Sequence, residues 1–247
     1  MNRWIATLAV ASLALTGCGS ASAEDQGDGP LIIVLFDVSQ STRDVRDRYV
    51  EAFDRVLAYA AEHRGHVVAD VIDDNPLAHS AYPIDVTFDG CSLLTENPLT
   101  CDAEATATIA DATAAARAIV EGHAGDAGTD ILGGLRLAER VVASYPEAEA
   151  TSLVVLSDMV ARSPQLALNR AFIEARIDGT VAELQAQGSV PDLGGVEVYV
   201  VGAGVASGDE LPGAMIVTIQ RFWEALFAAA GSELRPERYG AALVRFP

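Results

Sequence analysis

Three polar residues, Asp37, Ser39 and Ser41, have the types and spacing best suited to chemistry in this chain of 247 residues. They follow an apolar run, residues 31–36, that predicts a strand buried on both faces, as in a parallel sheet. Ligands of such sheets bind at the carboxyl ends of the strands. A carboxylate with two neutral hydroxyls there suits a hard divalent cation such as Mg²⁺. Without a metal, Ser41 or Thr42 could instead cap the following helix.

This spacing resembles the Asp-x-Ser-x-Ser signature of von Willebrand factor type A (vWA) domains, where it forms a metal-ion-dependent adhesion site. Two later residues match the family in the same order. Thr129, in a loop that enters a helix, takes the place of the family's metal-binding threonine. Asp158, after an apolar strand, takes the place of its last site residue. Three ordered matches at strand ends and helix starts are more specific than any one alone.

The resemblance implies a role for each of these residues. Ser39 and Ser41 would bind Mg²⁺ directly, and Mn²⁺ or Ca²⁺ would also fit. Asp37 and Asp158 would act directly or through water, and Thr129 would enter or leave the shell with the ligand state. One position would stay open for an Asp or Glu carboxylate of a partner protein. The implied function is protein binding and not catalysis.

The later residues also have interpretations without a metal. Thr129 could cap the helix that follows it, and Asp158 could cap a turn before Pro164. Asp130 could interact with the helix dipole. The family often has glycine after the last aspartate, where this chain has Met159, so we expect a different loop geometry there.

Composition disfavours several enzyme classes. The chain contains no lysine, which excludes a Schiff base and a Walker-type phosphate site. An Mg²⁺-dependent phosphohydrolase of the haloacid-dehalogenase type usually needs a lysine near its phosphoaspartate. It also needs a second acid at the position where this chain has Ser39. No Gly-x-Ser-x-Gly elbow of a serine hydrolase occurs. We therefore expect no enzyme, and the main alternative is a metal-independent vWA scaffold in an envelope assembly.

The N-terminus predicts export. Arg3 precedes an apolar stretch that is too short to span a bilayer comfortably, and the Leu-Thr-Gly-Cys run ending at Cys18 resembles a bacterial lipobox. Lipidation of Cys18 would anchor the protein to a membrane, whereas cleavage after residues 21–23 would secrete it. Either outcome places the protein in the cell envelope, outside the cytoplasm. The predicted signal peptide, flexible tether and single vWA-like domain are residues 1–17, 18–30 and 31–247.

The remaining cysteines and the charge fit that location. Cys91 and Cys101 form an even pair, which predicts a disulfide in an oxidising compartment. The formal net charge of −19 repels nucleic acid, so we expect no nucleic-acid partner.

Alternating strands and helices predict an α/β fold: a doubly wound, mostly parallel six-stranded sheet with one antiparallel edge strand and helices on both faces. The first and fourth strands would be neighbours, so that Asp37 and Asp158 face one crevice. Gly133 and Gly134 predict a close contact between helix and sheet. The predicted strands are residues 31–37, 66–72, 84–88, 151–156, 196–201 and 241–246. The predicted helices are residues 42–63, 102–121, 130–144, 164–188 and 212–231.

Overall fold

The computed structural model describes residues 29–89, 97–122, 128–168, 177–205 and 211–247. The predicted signal peptide, Cys18 and nearly all of the tether lie outside the described residues. Cys91 also lies outside them, so its pairing with Cys101 stays a prediction. Within the described part of the chain, no helix is both long and apolar enough to cross a membrane.

The described residues form one six-stranded sheet in the order β3-β2-β1-β4-β5-β6. The edge strand β3 runs antiparallel to β2, and the other neighbouring pairs are parallel. This topology confirms the predicted fold class, including the adjacency of the first and fourth strands. The strands are β1 (Leu31–Asp37), β2 (His66–Ile72), β3 (Ile84–Thr87), β4 (Thr151–Leu156), β5 (Val196–Val201) and β6 (Tyr239–Gly240).

Helices cover both faces of the sheet. They are α1 (Arg46–Glu62), α2 (Pro98–Gly122), α3 (Ile131–Ser144), α4 (Ile177–Ala186) and α5 (Gly213–Ala229). Successive side chains of a strand point to opposite faces. In β1, Ile32 and Val34 therefore pack with α1 and α2, whereas Ile33 and Leu35 pack with α3, α4 and α5. All of β1 is buried, as expected for the central strand of a doubly wound sheet.

The glycine pair in α3 allows the predicted close approach to the sheet. A Cβ atom on Gly134 would lie 3.0 Å from Cγ1 of Ile72 and 3.4 Å from Cδ1 of Leu35. On Gly133 it would lie 2.4 Å from Oδ2 of Asp130, well inside normal contact. Larger residues would push the start of α3 away from the carboxyl ends of β1 and β2.

Two predicted elements differ from the structure, although the end of the helix predicted over residues 164–188 is confirmed by α4. Pro164 does not open a helix, because Ser163 and Leu166 form a tight turn in which N–H of Ser163 donates to O of Leu166 at 2.9 Å. Hydrogen bonds to neighbouring segments satisfy the backbone there and remove the need for a helix. The final strand is also wrong, since β6 is only Tyr239–Gly240 and residues 241–246 leave the sheet.

The contact made by Phe246 explains why the final strand is not formed. Phe246 packs edge-on against Tyr59 of α1, with ring centroids 5.1 Å apart, so burial of an aromatic ring outweighs continued strand pairing. The start of α2 also differs from the prediction. The helix begins at Pro98 and not at Asp102, because proline suits the first turn of a helix.

Candidate metal centre

The carboxylate of Asp37 is fixed at the end of the central strand β1. It is fully buried, and both of its oxygens accept hydrogen bonds. The backbone N–H of Ser39 donates to Oδ1 at 2.9 Å, and the hydroxyl of Ser157 donates to Oδ2 at 2.6 Å. Sequence reasoning gave Ser157 no role, although its position beside Asp158 at a strand end was a signal. These bonds leave the carboxylate little freedom to rotate.

The two serine hydroxyls of the first motif lie together. Oγ of Ser39 and Oγ of Ser41 are 3.1 Å apart, close enough to contact a single ion. Helix α1 begins only at Arg46, with Val45 at its N-cap position, and neither that helix nor the preceding 3₁₀ turn has a side-chain cap. The helix-cap interpretation of Ser41 and Thr42 is therefore wrong for this structure.

Two further residues hold the loop between β1 and α1. The hydroxyl of Thr42 donates to the backbone carbonyls of Asp37 and Ser39, at 2.7 and 2.9 Å. The buried guanidinium of Arg46 donates to the carbonyl of Ser39 at 3.1 Å, to that of Val38, and to that of Val120 at 2.6 Å. Arg46 thus ties the loop to the end of α2. Sequence reasoning missed it, because bonds to backbone carbonyls leave no pattern in the sequence.

Asp158 lies two residues after the end of the neighbouring strand β4 and is also buried. Its Oδ1 accepts a hydrogen bond from N–H of Val160 at 2.8 Å. Its Oδ2 is buried and has no hydrogen-bond partner among the described residues. An unpartnered buried carboxylate oxygen is costly, and a bound cation would remove that cost.

The negative charge of Asp158 acts on Asp37, and both carboxyl groups have a raised pKa. Burial, and then the negative charge of Asp158, raise the pKa of Asp37 from 3.8 to about 7. Burial also raises the pKa of Asp158, although the nearby Ser41 hydroxyl and the charge of Arg162 act in the opposite direction. Two buried carboxylates side by side cannot both ionise easily without a positive charge between them.

Thr129 is buried and stands two residues before α3. Its N–H donates to O of Arg162 at 3.3 Å, and N–H of Arg162 donates back to O of Thr129 at 3.0 Å. This two-bond bridge joins the loop carrying Thr129 to the segment that leaves Asp158. The N-cap position of α3 belongs to Asp130, not Thr129, so the cap interpretation of Thr129 is wrong.

Met159 lies where the sequence motif departs from the family. It adopts φ 64°, a left-handed conformation that is unusual for a residue with a side chain. Its buried side chain packs in the core, and its carbonyl accepts a hydrogen bond from Nε1 of Trp223 at 2.9 Å. The surrounding core therefore holds the turn after Asp158 in this conformation without a glycine.

A buried tyrosine hydroxyl completes the surroundings. The hydroxyl of Tyr49 has no hydrogen-bond partner among the described residues. Burial, and then the charges of Asp37 and Asp158, raise its pKa well above 10. The ring needs Gly202 opposite it, since a Cβ there would lie 2.5 Å from the hydroxyl oxygen.

The atoms that could bind a metal at this site are all oxygens. In the described part of the chain, no three His, Cys, Asp or Glu side chains converge in a way that could hold a metal. The centre instead combines two carboxylates with serine hydroxyls, a set that suits Mg²⁺ and not a softer metal. The free Oδ2 of Asp158 and the raised pKa of Asp37 both fit a cation in this space.

Comparisons with known proteins give structural likeness only. No protein-family model and no curated protein matches the chain. The structure of the conserved hypothetical protein BatB from Bacteroides thetaiotaomicron is 14% identical, with a TM-score of 0.40 over 78% of this chain and 86% of that one.

Two larger proteins match in part. The pilus adhesin SpaC from Lactobacillus rhamnosus GG is 14% identical, with a TM-score of 0.45 over 86% of this chain and 28% of that one. The human COPII-coat protein Sec24c is 15% identical, with a TM-score of 0.45 over 87% and 30%. The chain thus spans under a third of these two proteins. Likenesses this weak, to proteins this different, do not distinguish among functions.

Proposed function

We propose that this chain is an exported vWA-type domain that binds a protein partner through a divalent metal, Mg²⁺ in the first place. The ligands would come from Asp37, Ser39, Ser41, Thr129 and Asp158. The observation that carries the proposal is the pair of buried carboxylates at the ends of β1 and β4. The charge of Asp158 acts on Asp37, the hydroxyls of Ser39 and Ser41 lie 3.1 Å apart, and Oδ2 of Asp158 has no hydrogen-bond partner among the described residues.

The ligand types explain how such a site would bind a partner. Mg²⁺ prefers six oxygen ligands and readily keeps waters. Because the serine hydroxyls are neutral, the ion would retain much of its positive charge. A water in its shell could then be replaced by an Asp or Glu carboxylate of the partner protein. Mn²⁺, or Ca²⁺ with longer bonds, would satisfy the same set.

The proposal assigns binding and not catalysis. The carboxylate of Asp37 is locked by Ser39 and Ser157, so it is poorly placed to move during a reaction. The chain has no lysine to support phosphoryl chemistry. Export and lipidation at Cys18 are part of the proposal and rest on the N-terminal sequence alone. The same holds for the disulfide between Cys91 and Cys101.

Calorimetric titration of the protein with Mg²⁺ and Mn²⁺ tests the proposal. We expect one site in the wild type, and its loss in Asp37→Asn, which keeps the shape of the side chain but removes its charge. Asp47→Asn is the matched control, because Asp47 is an exposed aspartate at the start of α1. Thermal melting of each variant shows whether the fold persists.

Pull-down from an envelope extract tests the partner. Capture of a protein in Mg²⁺ that is lost in EDTA and in the Asp37→Asn variant supports the proposal. No binding of Mg²⁺ or Mn²⁺ to the wild type in the titration, or capture that persists in EDTA, would contradict the proposal and point to a scaffold that works without a metal.

A further inference from the structure

A second group of charged residues lies beside the proposed metal centre. The segment between β2 and β3 includes residues 73–79, here named the strap, with a 3₁₀ turn at Pro76–Ala78. The strap lies against the threonine loop, residues 128–130. The carbonyl of Asp73 accepts a hydrogen bond from N–H of Asp130 at 2.8 Å. A Cβ on Gly128 would lie 2.5 Å from Cβ of Asp74, so these backbones are in close contact.

One side chain fastens the strap to the sheet. Nδ1 of His79 lies 2.9 Å from Oδ1 of Asp70 in β2, and Nε2 lies 3.0 Å from Oδ2 of Asp73. A neutral imidazole can donate from only one nitrogen, whereas the imidazolium donates from both. Since both ring nitrogens face carboxylates, the geometry shown requires the protonated form of His79.

The surroundings reinforce this charge state. Burial alone would lower the pKa of His79, but the carboxylates of Asp70 and Asp73 outweigh it, and the net shift is upward. Asp70 is buried, its Oδ1 also accepts N–H of Val71 at 2.7 Å, and its Oδ2 has no partner among the described residues. Removing the proton from His79 would therefore leave a buried carboxylate facing a lone pair.

Helix α3 packs against the same strap, and two charged residues, Asp130 at its N-cap position and Arg140 within it, bond to backbone carbonyls of the strap. Asp130 donates its N–H to the strap at Asp73, and Nη2 of Arg140 donates to O of Leu77 at 3.3 Å. Within the described chain, the charges acting on His79 are thus those of Asp70 and Asp73. Protonation of His79 and the position of the Asp73 carbonyl are linked through one short segment.

We infer that the strap is a pH-sensitive fastening of the threonine loop, closed by the imidazolium of His79 and released when that ring loses its second proton. Once neutral, the ring keeps one carboxylate partner and repels the other. The strap then shifts, and the hydrogen bond from Asp130 to Asp73 weakens. A consequence for metal binding rests on the proposed function, through Thr129, whereas the fastening itself does not.

The test uses the full chain in EDTA, so that no metal contributes. NMR follows the ring of His79 and the hydrogen-exchange protection of the Asp130 amide as a function of pH. We expect the ring to titrate above the ordinary histidine value of about 6.5. Across that titration, Asp130 should lose about tenfold in protection, the ratio for loss of roughly one hydrogen bond. A ring that titrates below 6.5, or protection that stays constant, would overturn the inference.

Variants separate the fastening from general destabilisation. His79→Gln should abolish the pH dependence of Asp130 protection. The matched control is His66→Gln, since His66 also pairs with a carboxylate, Asp85 at 2.8 Å, but at the opposite end of β2. If His79→Gln fails to fold, Asp73→Asn replaces it and should move the transition to lower pH. An unchanged transition in either strap variant would contradict the inference. Because EDTA is present throughout, the result is independent of whether the metal centre exists.

Discussion

Two pairs of carboxylates, each with at least one buried member, lie near the ends of neighbouring strands and have different charged surroundings. In the histidine cluster, Asp70 and Asp73 share the cationic ring of His79, so the positive charge comes from the chain itself. In the central pair, the charge of Asp158 raises the pKa of Asp37, while the charge of Arg162 acts in the opposite direction on Asp158. The histidine cluster thus has a cation within hydrogen-bond distance of its carboxylates, whereas the central pair keeps raised pKa values that a bound metal would lower.

The largest expected effect comes from removing a charge from the central pair. Asp158→Asn should lower Mg²⁺ affinity by about 100-fold or more, since a charged ligand oxygen is lost. In metal-free protein the same change should not destabilise the fold, because it removes a repulsion with Asp37. Calorimetry and urea denaturation measure the two effects. A variant that binds Mg²⁺ as the wild type does would contradict the assignment of Asp158.

Acidity should compete with the metal at the central pair. Because the pKa of Asp37 is raised to about 7, protons occupy the site below that pH, and Mg²⁺ affinity should fall by about tenfold per pH unit. In metal-free protein, the contribution of Asp37 to stability is complete below pH 3.8 and is lost as the pH rises to about 7. Mg²⁺ titrations measure the affinity across this pH range, and urea denaturation measures the free energy of unfolding. In Asp37→Asn, both quantities should depend less on pH.

Removing a carboxylate from the histidine cluster should have the opposite effect on stability. Asp70→Asn should cost about 2 kcal/mol at mildly acidic pH, where His79 is charged and Asp70 is ionised, because the half-buried imidazolium of His79 loses one charged partner. The raised pKa of His79 means that this ion-pair contribution is lost as the pH rises above 6.5 through the raised value. Burial also raises the pKa of Asp70, so the contribution falls again in strong acid, where that carboxylate takes up a proton. Urea denaturation should therefore show the penalty shrinking in alkaline buffer. If the loss in the free energy of unfolding did not depend on pH, it would come from packing and not from the ion pair.

The smallest effect is expected from the hydroxyl that orients Asp37. Ser157→Ala removes the 2.6 Å hydrogen bond to Oδ2, so the pKa of Asp37 should rise further and Mg²⁺ affinity at neutral pH should fall by about tenfold. Ser152→Ala is the control, since Ser152 is a buried serine at the other end of β4. Equal effects in the two variants would mean that Ser157 acts only through stability.

The sheet and the two central carboxylates could be predicted from the sequence. The buried run before Asp37 and the similar run before Asp158 predict central parallel strands, and such strands bring their ends together. The residues that orient the site were harder to find. Arg46 and Thr42 act on backbone carbonyls, and the partner of a carbonyl depends on the fold and not on local spacing.

The wrong elements have the same origin. Pro164 is a good first residue for a helix, but the tight turn closed by Ser163 and Leu166 satisfies the backbone there. Likewise, the alternating pattern at residues 241–246 is typical of a strand, yet Phe246 finds an aromatic partner on α1. A local turn in the first place and a tertiary contact in the second thus each outweigh a helix or strand preference that is worth little by itself.

Crystals soaked in Mn²⁺ and measured at the manganese absorption edge test the central claim most directly. The account predicts one anomalous peak in the space shared by the carboxylates of Asp37 and Asp158 and the hydroxyls of Ser39 and Ser41. It also predicts loss of that peak in Asp37→Asn crystals. An empty space there at saturating Mn²⁺, or a peak only elsewhere on the molecule, would contradict the account.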